Sequence, residues 1–143
     1  MVVLIVEDEV IIAYCSAAIL EDAGHAVLGP AHTAGQALEL ARSSRPEVAL
    51  VDVDLEIPGA GIGLAHQLHA DYGTSIVFTT GRLDIAHAQS DLADGVVTKP
   101  YDPAELPGIV TSAATTNRAY FIQVTAPSRE AGVAVPASAV VPR

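Results

Sequence analysis

The stretch VALVDVD, residues 48–54, decides the fold, because four apolar residues lead to Asp52, and a second acid, Asp54, follows two residues later. A strand that is buried on both faces of a parallel sheet is a continuous apolar run rather than an alternating pattern. Asp52 places an ionisable group at the end of this run, where an unpaired charge would be costly. The stretch therefore predicts a central strand that ends in a functional carboxylate.

Shorter apolar runs on both sides of this segment are typical of further strands. They are Val2–Val6, Ala26–Leu28, Ser75–Thr79 and Val96–Thr98. A segment of helical character follows each predicted strand. These helices are predicted at about Glu9–Ala23, Thr33–Ala41 and Ile62–Tyr72, then up to Leu92, and from Asp102 onward. Five such units predict an α/β fold, a doubly wound five-stranded parallel sheet with helices on both faces.

Proline, glycine and polar residues set several of the predicted boundaries. Gly29-Pro30 is expected to end the second strand, and Thr33 followed by Gln36 has the spacing of a capping box at a helix start. Pro107-Gly108 is expected inside the last helix, where proline removes a backbone hydrogen bond. We therefore expect that helix to be short, bent or displaced.

The length of 143 residues supports one domain with a single core, which we place at residues 1–116. From about Thr116 onward Ala, Val, Pro and Ser dominate. Residues 117–143 are expected to form a tail, because they are too few to build a core of their own. Tyr120–Thr125 is a β-like patch in this tail and the candidate for one extra strand.

The charge and the single cysteine limit the classes of function. The formal net charge is −10 and no segment is rich in Lys or Arg, so we expect neither nucleic-acid binding nor docking on anionic membranes. No apolar run is long enough to span a bilayer, and the N-terminus lacks the positive region of a signal peptide. Cys15 excludes an intrachain disulfide framework and is expected to be a small core residue. We expect a cytoplasmic protein.

Polar residues follow the predicted strands at their carboxyl ends. Glu7 and Asp8 follow the first strand, Asp52 ends the third, Thr80 ends the fourth, and Lys99, the only lysine in the chain, follows the fifth. The carboxyl ends of parallel strands meet at one edge of the sheet, so we expect these side chains to converge. The site would then hold three carboxylates, a hydroxyl and one ammonium group.

Clustered carboxylates repel one another unless a cation neutralises them. Oxygen ligands without His or Cys favour Mg²⁺, which binds through a few carboxylates and keeps several waters. A metal beside a carboxylate oxygen is typical of phosphoryl transfer, in which charge on the transferring oxygens must be neutralised. The pattern therefore indicates a Mg²⁺-dependent phosphoryl-transfer site.

The ordered set of acid pair, Asp, Thr-Gly and Lys-Pro, each at a predicted strand end, resembles the receiver domains of two-component response regulators. The resemblance covers Val2 to about Ala114 and implies the flavodoxin-like strand order 2-1-3-4-5. The stretch from Phe78 to Gly81 is also similar to a branch of single-domain response regulators with a Phe-x-Thr-Gly stretch.

The resemblance implies a role for each site residue. Asp52 would accept a phosphoryl group from a histidine kinase or a histidine phosphotransfer protein, and Thr80 and Lys99 would hold that group. The metal ligands would be the side chains of Glu7, Asp8 and Asp52 and the backbone carbonyl of Asp54. Such a protein is a signalling switch and not an enzyme, apart from its own phosphorylation and dephosphorylation.

Several positions depart from the family pattern. Val96 stands where receivers usually carry a switch aromatic, and the loop after Asp52 lacks an early proline and is about one residue longer. Asp54 and Arg82 lie two residues past Asp52 and Thr80, where opposite charges could form an ion pair across the opening of the site. The altered last helix belongs to a face that forms dimers in the family, so we do not expect the family's usual dimer, and a homodimer through another surface is left open.

Surplus apolar residues on the first predicted helix indicate a contact surface. The segment from Val10 to Leu20 is apolar around most of the helix, although a helix packed on one sheet face needs only one apolar stripe. The excess could receive the helical bundle of a partner or form a dimer contact, with the tail covering part of it.

Two alternatives remain open. The Asp-x-Asp form of Asp52 and Asp54 is similar to the aspartate-nucleophile phosphatases of the haloacid dehalogenase type, although Glu56 stands where those carry Thr and the motif is not on the first strand. A degenerate receiver that binds partners without phosphorylation is the other alternative. A DNA-binding regulator is not favoured, because no helix-turn-helix follows Lys99.

Overall fold

The computed structural model describes residues 1–82, 84, 91–115, 120–124 and 139–142, and for the last two segments it describes the backbone. Among these residues the strands are β1 (Val2–Val6), β2 (Ala26–Ala31), β3 (Val48–Asp52), β4 (Ser75–Thr80), β5 (Gly95–Thr98), β6 (Tyr120–Val124) and β7 (Ala139–Pro142). The helices are α1 (Val10–Asp22), α2 (Ala34–Ser44), α3 (Ala60–Tyr72) and α4 (Leu106–Thr115). The helix predicted before Leu92 lies outside the described residues.

The first five strands form a parallel sheet in the order β2-β1-β3-β4-β5, which confirms the predicted fold class. Two further strands extend this sheet beyond β5. β6 pairs parallel to β5 through Val96 and Val97, and β7 pairs antiparallel to β6. β5 is therefore an inner strand of a seven-stranded sheet.

Alternating residues of each central strand pack on opposite faces of the sheet. On one face Leu4, Val51 and Phe78 form a core with residues of α2 and α3. On the other face Ile5 and Leu50 form a core with residues of α1 and α4. All of these side chains are buried, so the continuous apolar runs reflect a sheet that is covered on both sides.

The prediction that Gly29-Pro30 ends β2 is wrong, because the strand continues to Ala31. β2 lies at the edge of the sheet, where the missing N–H of proline leaves no ladder bond unmade. Gly29 has φ +92°, and a Cβ there would lie 2.5 Å from the Ala31 nitrogen. Only glycine fits this point of close backbone approach.

The position of Pro107-Gly108 also differs from the prediction. Asp102 accepts a hydrogen bond from the Ala104 N–H and caps a short 3₁₀ turn at Pro103–Glu105, after which α4 begins at Leu106. Pro107 is therefore in the first turn of α4, where backbone N–H groups have no intrahelical acceptor in any case. The helix has ten residues, and its length reflects this late start rather than an interior break.

Cys15 is exposed on α1, so its predicted place in the core is wrong. The buried face of α1 consists of Ala13, Ser16, Ala17 and Leu20. Because α1 is apolar around most of its circumference, apolar neighbours in the sequence did not indicate which face would be buried. Glu9, at which the helix was predicted to begin, is the N-cap residue of α1, and no acid lies in the first turn.

Candidate functional site

The carboxyl ends of β1, β3, β4 and β5 meet at one edge of the sheet around an open cavity of about 450 Å³. The cavity is lined by Asp8, Glu9, Asp52, Asp54, Gly81 and Lys99. Parallel strands place these residues together because each follows or ends a strand at the same edge. The predicted convergence of the strand-end residues is therefore present in the structure.

Glu7, Asp8 and Asp52 each direct a carboxylate oxygen towards a common point, and these oxygens lie within 4.8 Å of one another. Glu7 and Asp52 are 3% and 5% exposed, whereas Asp8 is open to solvent. Three carboxylates at this spacing, one of them accessible, fit a hard divalent cation that retains part of its water shell. The donor set therefore suits Mg²⁺.

Lys99 bridges two of these acids. Its Nζ lies 2.9 Å from Glu7 Oε2 and 3.2 Å from Asp52 Oδ2, and 3.8 Å from Glu9 Oε1. Burial lowers the pKa of Lys99, but the hydrogen bonds and charges of Glu7 and Asp52 outweigh it and raise that pKa above its usual value. The ammonium group therefore stays charged between the carboxylates.

Glu7 has the most perturbed carboxyl at this edge. Burial raises the pKa of Glu7 to about 7, although hydrogen bonds from Lys99 and from the Glu9 N–H lower it, and the charge of Asp52 raises it further. Without a cation, Glu7 is therefore partly protonated at neutral pH. A bound cation would favour its ionised form.

Asp52 is held by contacts on both carboxylate oxygens. Oδ1 accepts a hydrogen bond from the Asp54 N–H at 3.0 Å, and Oδ2 accepts one from Lys99 at 3.2 Å. The backbone of Asp52 also packs against Gly61, where a Cβ would lie 1.9 Å from the Asp52 carbonyl oxygen. Sequence reasoning noted the longer loop after Asp52 but did not identify Gly61 as the residue that lets α3 approach β3.

Thr80 ends β4 as predicted and is buried. Its Oγ1 accepts a hydrogen bond from the Arg82 N–H at 2.9 Å, and its carbonyl oxygen accepts one from the Lys99 N–H at 2.8 Å. The hydroxyl hydrogen of Thr80 is thus left to donate elsewhere, and the adjacent Gly81 lines the cavity. Strands β4 and β5 together fix Thr80 relative to Lys99.

The predicted ion pair between Asp54 and Arg82 is present at the rim of the cavity. Arg82 donates to Asp54 Oδ2 from Nε at 3.2 Å and to Oδ1 from a terminal nitrogen, and Gly59 N–H donates to Oδ1 at 3.0 Å. Burial raises the pKa of Asp54, but the hydrogen bonds from Arg82 and Gly59 and the charges of Arg82 and Lys99 together outweigh it, and the pKa lies below its usual value. The role predicted for the Asp54 backbone carbonyl stays a prediction.

Two residues that sequence reasoning missed contact the acid pair. His32 Nδ1 lies 2.8 Å from the carbonyl oxygen of Glu7, and the Glu56 N–H donates to Asp8 Oδ2 at 3.3 Å. Both contacts join segments that are far apart in the chain, and no motif or spacing in the sequence indicates them. From the sequence, Glu56 was considered only because it stands at the position where the phosphatases carry threonine.

Val96, at the position of the usual switch aromatic, is fully buried in the core.

The apolar excess on α1 is present at the surface: Val10, Ile11 and Tyr14 are 55%, 80% and 57% exposed. Beside them, an apolar cavity of about 470 Å³ separates α1 from the segment after Lys99. In the described part of the chain, no helix has the length and apolar character needed to cross a membrane.

Comparisons with known proteins agree with this fold. The sequence-family model of the response regulator receiver domain matches residues 3–111. The chain is 29% identical over 131 residues to the phyllosphere-induced regulator PhyR of Methylorubrum extorquens, covering 90% of this chain and 47% of PhyR. It is 36% identical over 110 residues to the DNA-binding response regulator MtrA of Mycolicibacterium smegmatis, covering 73% of this chain and 46% of MtrA.

Among solved structures, the receiver domain of NtrX from Brucella abortus superposes with a TM-score of 0.73 at 25% identity, covering 80% of this chain and 99% of that domain. The chain spans about half the length of the relatives PhyR and MtrA. The similarity therefore concerns one domain of those proteins.

Proposed function

This chain belongs to the response regulator receiver domain family, and from that premise we propose that it is a signalling switch phosphorylated on Asp52 with the help of Mg²⁺. The phosphoryl donor is a histidine kinase or a histidine phosphotransfer protein. One observation carries the proposal: a carboxylate oxygen of Asp52 lies within 4.8 Å of those of Glu7 and Asp8, and Asp52 accepts a hydrogen bond from the only lysine of the chain.

In this proposal the side chains of Glu7, Asp8 and Asp52 and the carbonyl of Asp54 hold Mg²⁺. When bound, the cation neutralises charge on the acids and on the transferring phosphoryl oxygens. The close spacing of the acidic oxygens supports this role, since the cluster would otherwise be repulsive.

A carboxylate oxygen of Asp52 attacks the phosphorus of phosphohistidine, and the phosphorus–nitrogen bond breaks as the phosphorus–oxygen bond forms. The ammonium group of Lys99, which donates to Asp52 Oδ2 in the unphosphorylated structure, contacts one phosphoryl oxygen. Thr80 donates its hydroxyl hydrogen to another, because its oxygen already accepts from the Arg82 N–H. The phosphoryl group stays on the chain, so the product is the phosphorylated switch itself.

The phosphatase alternative requires Asp54 to exchange a proton with the leaving group. Here the Asp54 carboxylate is bound by Arg82 and Gly59, and its pKa is lowered. A carboxylate held in its ionised form is a poor general acid. The geometry and the family therefore favour a phospho-acceptor over a phosphatase.

The exposed apolar face of α1 is the surface that we assign to the kinase or phosphotransfer partner. It lies next to Glu9 and to the cavity that contains Asp52. The domain boundary at residue 116 and a cytoplasmic location are proposed with it, and a homodimer is left open.

The test is labelling with acetyl phosphate and Mg²⁺, followed by intact-mass measurement. The parent should gain one phosphoryl group, Asp52→Asn should gain none, and chelation should abolish the gain. Asp71→Asn, at an exposed position on α3, is a matched control that should behave like the parent. Labelling of Asp52→Asn, or labelling that survives chelation, would falsify the assignment. Binding of Mg²⁺ without labelling would instead favour the phosphorylation-independent interaction module.

A further inference from the structure

The backbone of Glu7 is held from both sides by the end of β2 and the residue after it. The Glu7 N–H donates to the Ala31 carbonyl at 2.9 Å, and the Glu7 carbonyl lies 2.8 Å from His32 Nδ1. A carbonyl oxygen only accepts, so Nδ1 of His32 must carry the hydrogen. The main chain that presents the acid pair is thus fixed by a side chain from outside the cavity.

His32 is itself fixed by the start of α2. Its backbone N–H donates to Gln36 Oε1 at 2.8 Å, while Gln36 N–H donates to Thr33 Oγ1 at 3.1 Å. The predicted capping box is therefore half formed, and its glutamine side chain caps one residue earlier than the motif requires. This contact ties His32 to the helix rather than leaving it on a free loop.

Glu56 forms a second connection between the same helix and the acid pair. Its Oε1 accepts from the Ala34 N–H at 2.9 Å, and its own N–H donates to Asp8 Oδ2 at 3.3 Å. Glu56 has φ +63°, a left-handed conformation that costs a non-glycine residue about 1–3 kcal/mol. Surrounding contacts must hold such a residue in place, and the contact with α2 is one of them.

We propose that His32 and Glu56 are positioning residues that preorganise Glu7 and Asp8 for the cation, with the first turn of α2 as their common support. The inference rests on the proposed function, because it assigns a role towards the same Mg²⁺ site. Partners of metal ligands restrict the orientations that a ligand samples, and their loss weakens metal binding even though they do not contact the metal. The two residues reach the acids from two different loops, His32 from the β2–α2 connection and Glu56 from the β3–α3 connection.

The test is calorimetric titration of the full chain with Mg²⁺ alone, together with thermal unfolding of each variant. His32→Ala should raise the dissociation constant for Mg²⁺ by about tenfold. His32→Asn should recover most of the affinity, because its amide nitrogen can donate from nearly the same place as Nδ1. His69→Ala is the matched control, since His69 Nδ1 makes the same kind of bond to the Thr74 carbonyl, at 3.1 Å, at the opposite end of β4.

Glu56 provides an independent pair of variants at an exposed position. Glu56→Ala removes the contact with Ala34 and should weaken Mg²⁺ binding, whereas Glu56→Gln keeps an acceptor oxygen and should not. If His32→Ala does not fold, this pair decides the question alone.

The outcomes separate the inference from the function on which it rests. Failure of the parent chain to bind Mg²⁺ would overturn both. A parent that binds Mg²⁺, with His32→Ala and Glu56→Ala no weaker than His69→Ala, would overturn the positioning role and leave the proposed function intact.

Discussion

Lys99 Nζ lies 2.9 Å from Glu7 Oε2 and 3.2 Å from Asp52 Oδ2, so one ammonium group spans two buried carboxylates. In the absence of a cation, Lys99 is the main positive charge that the described residues offer to this pair. The ammonium and a divalent cation therefore neutralise the same acids, and the effect of removing Lys99 depends on whether Mg²⁺ is present.

Lys99→Ala is expected to lower the free energy of unfolding by about 1–3 kcal/mol in chelator, because two buried acids lose their partner. With saturating Mg²⁺ the loss should be smaller, since the cation replaces the missing charge. Acetyl phosphate should still label Asp52, but the change in amide hydrogen exchange that accompanies labelling should disappear. Chemical denaturation with and without Mg²⁺ measures the first effect.

Lys99→Met is the companion variant, because it keeps the methylene chain and removes only the charge. If Lys99→Ala unfolds the domain in both conditions while Lys99→Met does not, the lysine acts through packing. That result would contradict its assignment to the phosphoryl group.

The raised pKa of Glu7 predicts a pH dependence of stability in the metal-free protein. The folded pKa is about 7 and the reference value is 4.5, so the folded state binds more protons between these pH values. The stabilisation is fully present below pH 4.5 and is lost as the pH rises through about 7. Urea denaturation of the parent in chelator should show this decline.

Glu7→Gln should flatten that part of the pH profile, since glutamine does not titrate. Glu39→Gln on exposed α2 is the control and should leave the profile as it is in the parent. An unchanged slope in Glu7→Gln would show that another group causes the decline.

The sheet and the acidic cluster were predictable because both follow from local pattern. Apolar runs marked the strands, and the rule that parallel strand ends converge brought Glu7, Asp52 and Lys99 together. The continuation of β2 through Gly29-Pro30 was not predictable, because it depends on the strand lying at an edge. The exposure of Cys15 was equally unpredictable, because α1 is apolar around nearly all of its circumference.

The contacts of His32 and Glu56 could not be predicted for a different reason. His32 lies 25 positions from Glu7, and Glu56 lies 48 from Asp8. Each contact depends on how a loop is placed after the whole sheet has formed, and single residues in loops carry no periodic signal.

The exposed face of α1 is expected to bind the phosphoryl donor. Ile11→Asp should reduce phosphotransfer from the cognate histidine kinase by tenfold or more, because a charge would be buried at the centre of an apolar contact, an effect of about 2 kcal/mol. Labelling by acetyl phosphate should be unaffected. Ile57→Asp is the matched control, an equally apolar residue that is 65% exposed on the β3–α3 loop.

Light scattering of the same variants separates the partner from a dimer. If the molecular mass of Ile11→Asp in solution is lower than that of the parent, and phosphotransfer is unaffected, the face is a contact between copies of this chain. Equal loss of phosphotransfer in Ile11→Asp and Ile57→Asp would show that the effect is not specific to α1.

Asp54 and Arg82 stand on the loops after β3 and β4, at the rim of the cavity that contains Asp52. Both side chains are more than one third exposed, at 36% and 42%. An exposed ion pair contributes at most about 1 kcal/mol to stability, so its removal should barely affect unfolding. Its position matters more, because water must pass this rim to hydrolyse a phosphoryl group on Asp52.

We therefore expect Arg82→Ala and Asp54→Ala each to speed dephosphorylation several-fold, because either change opens the rim to water. The double variant should be no faster than the quicker single variant, since both changes remove one interaction. Release of phosphate from the labelled protein, freed of acetyl phosphate and kept in Mg²⁺, measures the rates, and Arg42→Ala on α2 controls for the loss of a positive charge. Additive effects, or rates equal to that of Arg42→Ala, would show that Arg82 merely neutralises a solvent-facing carboxylate and does not shield the phosphoryl group.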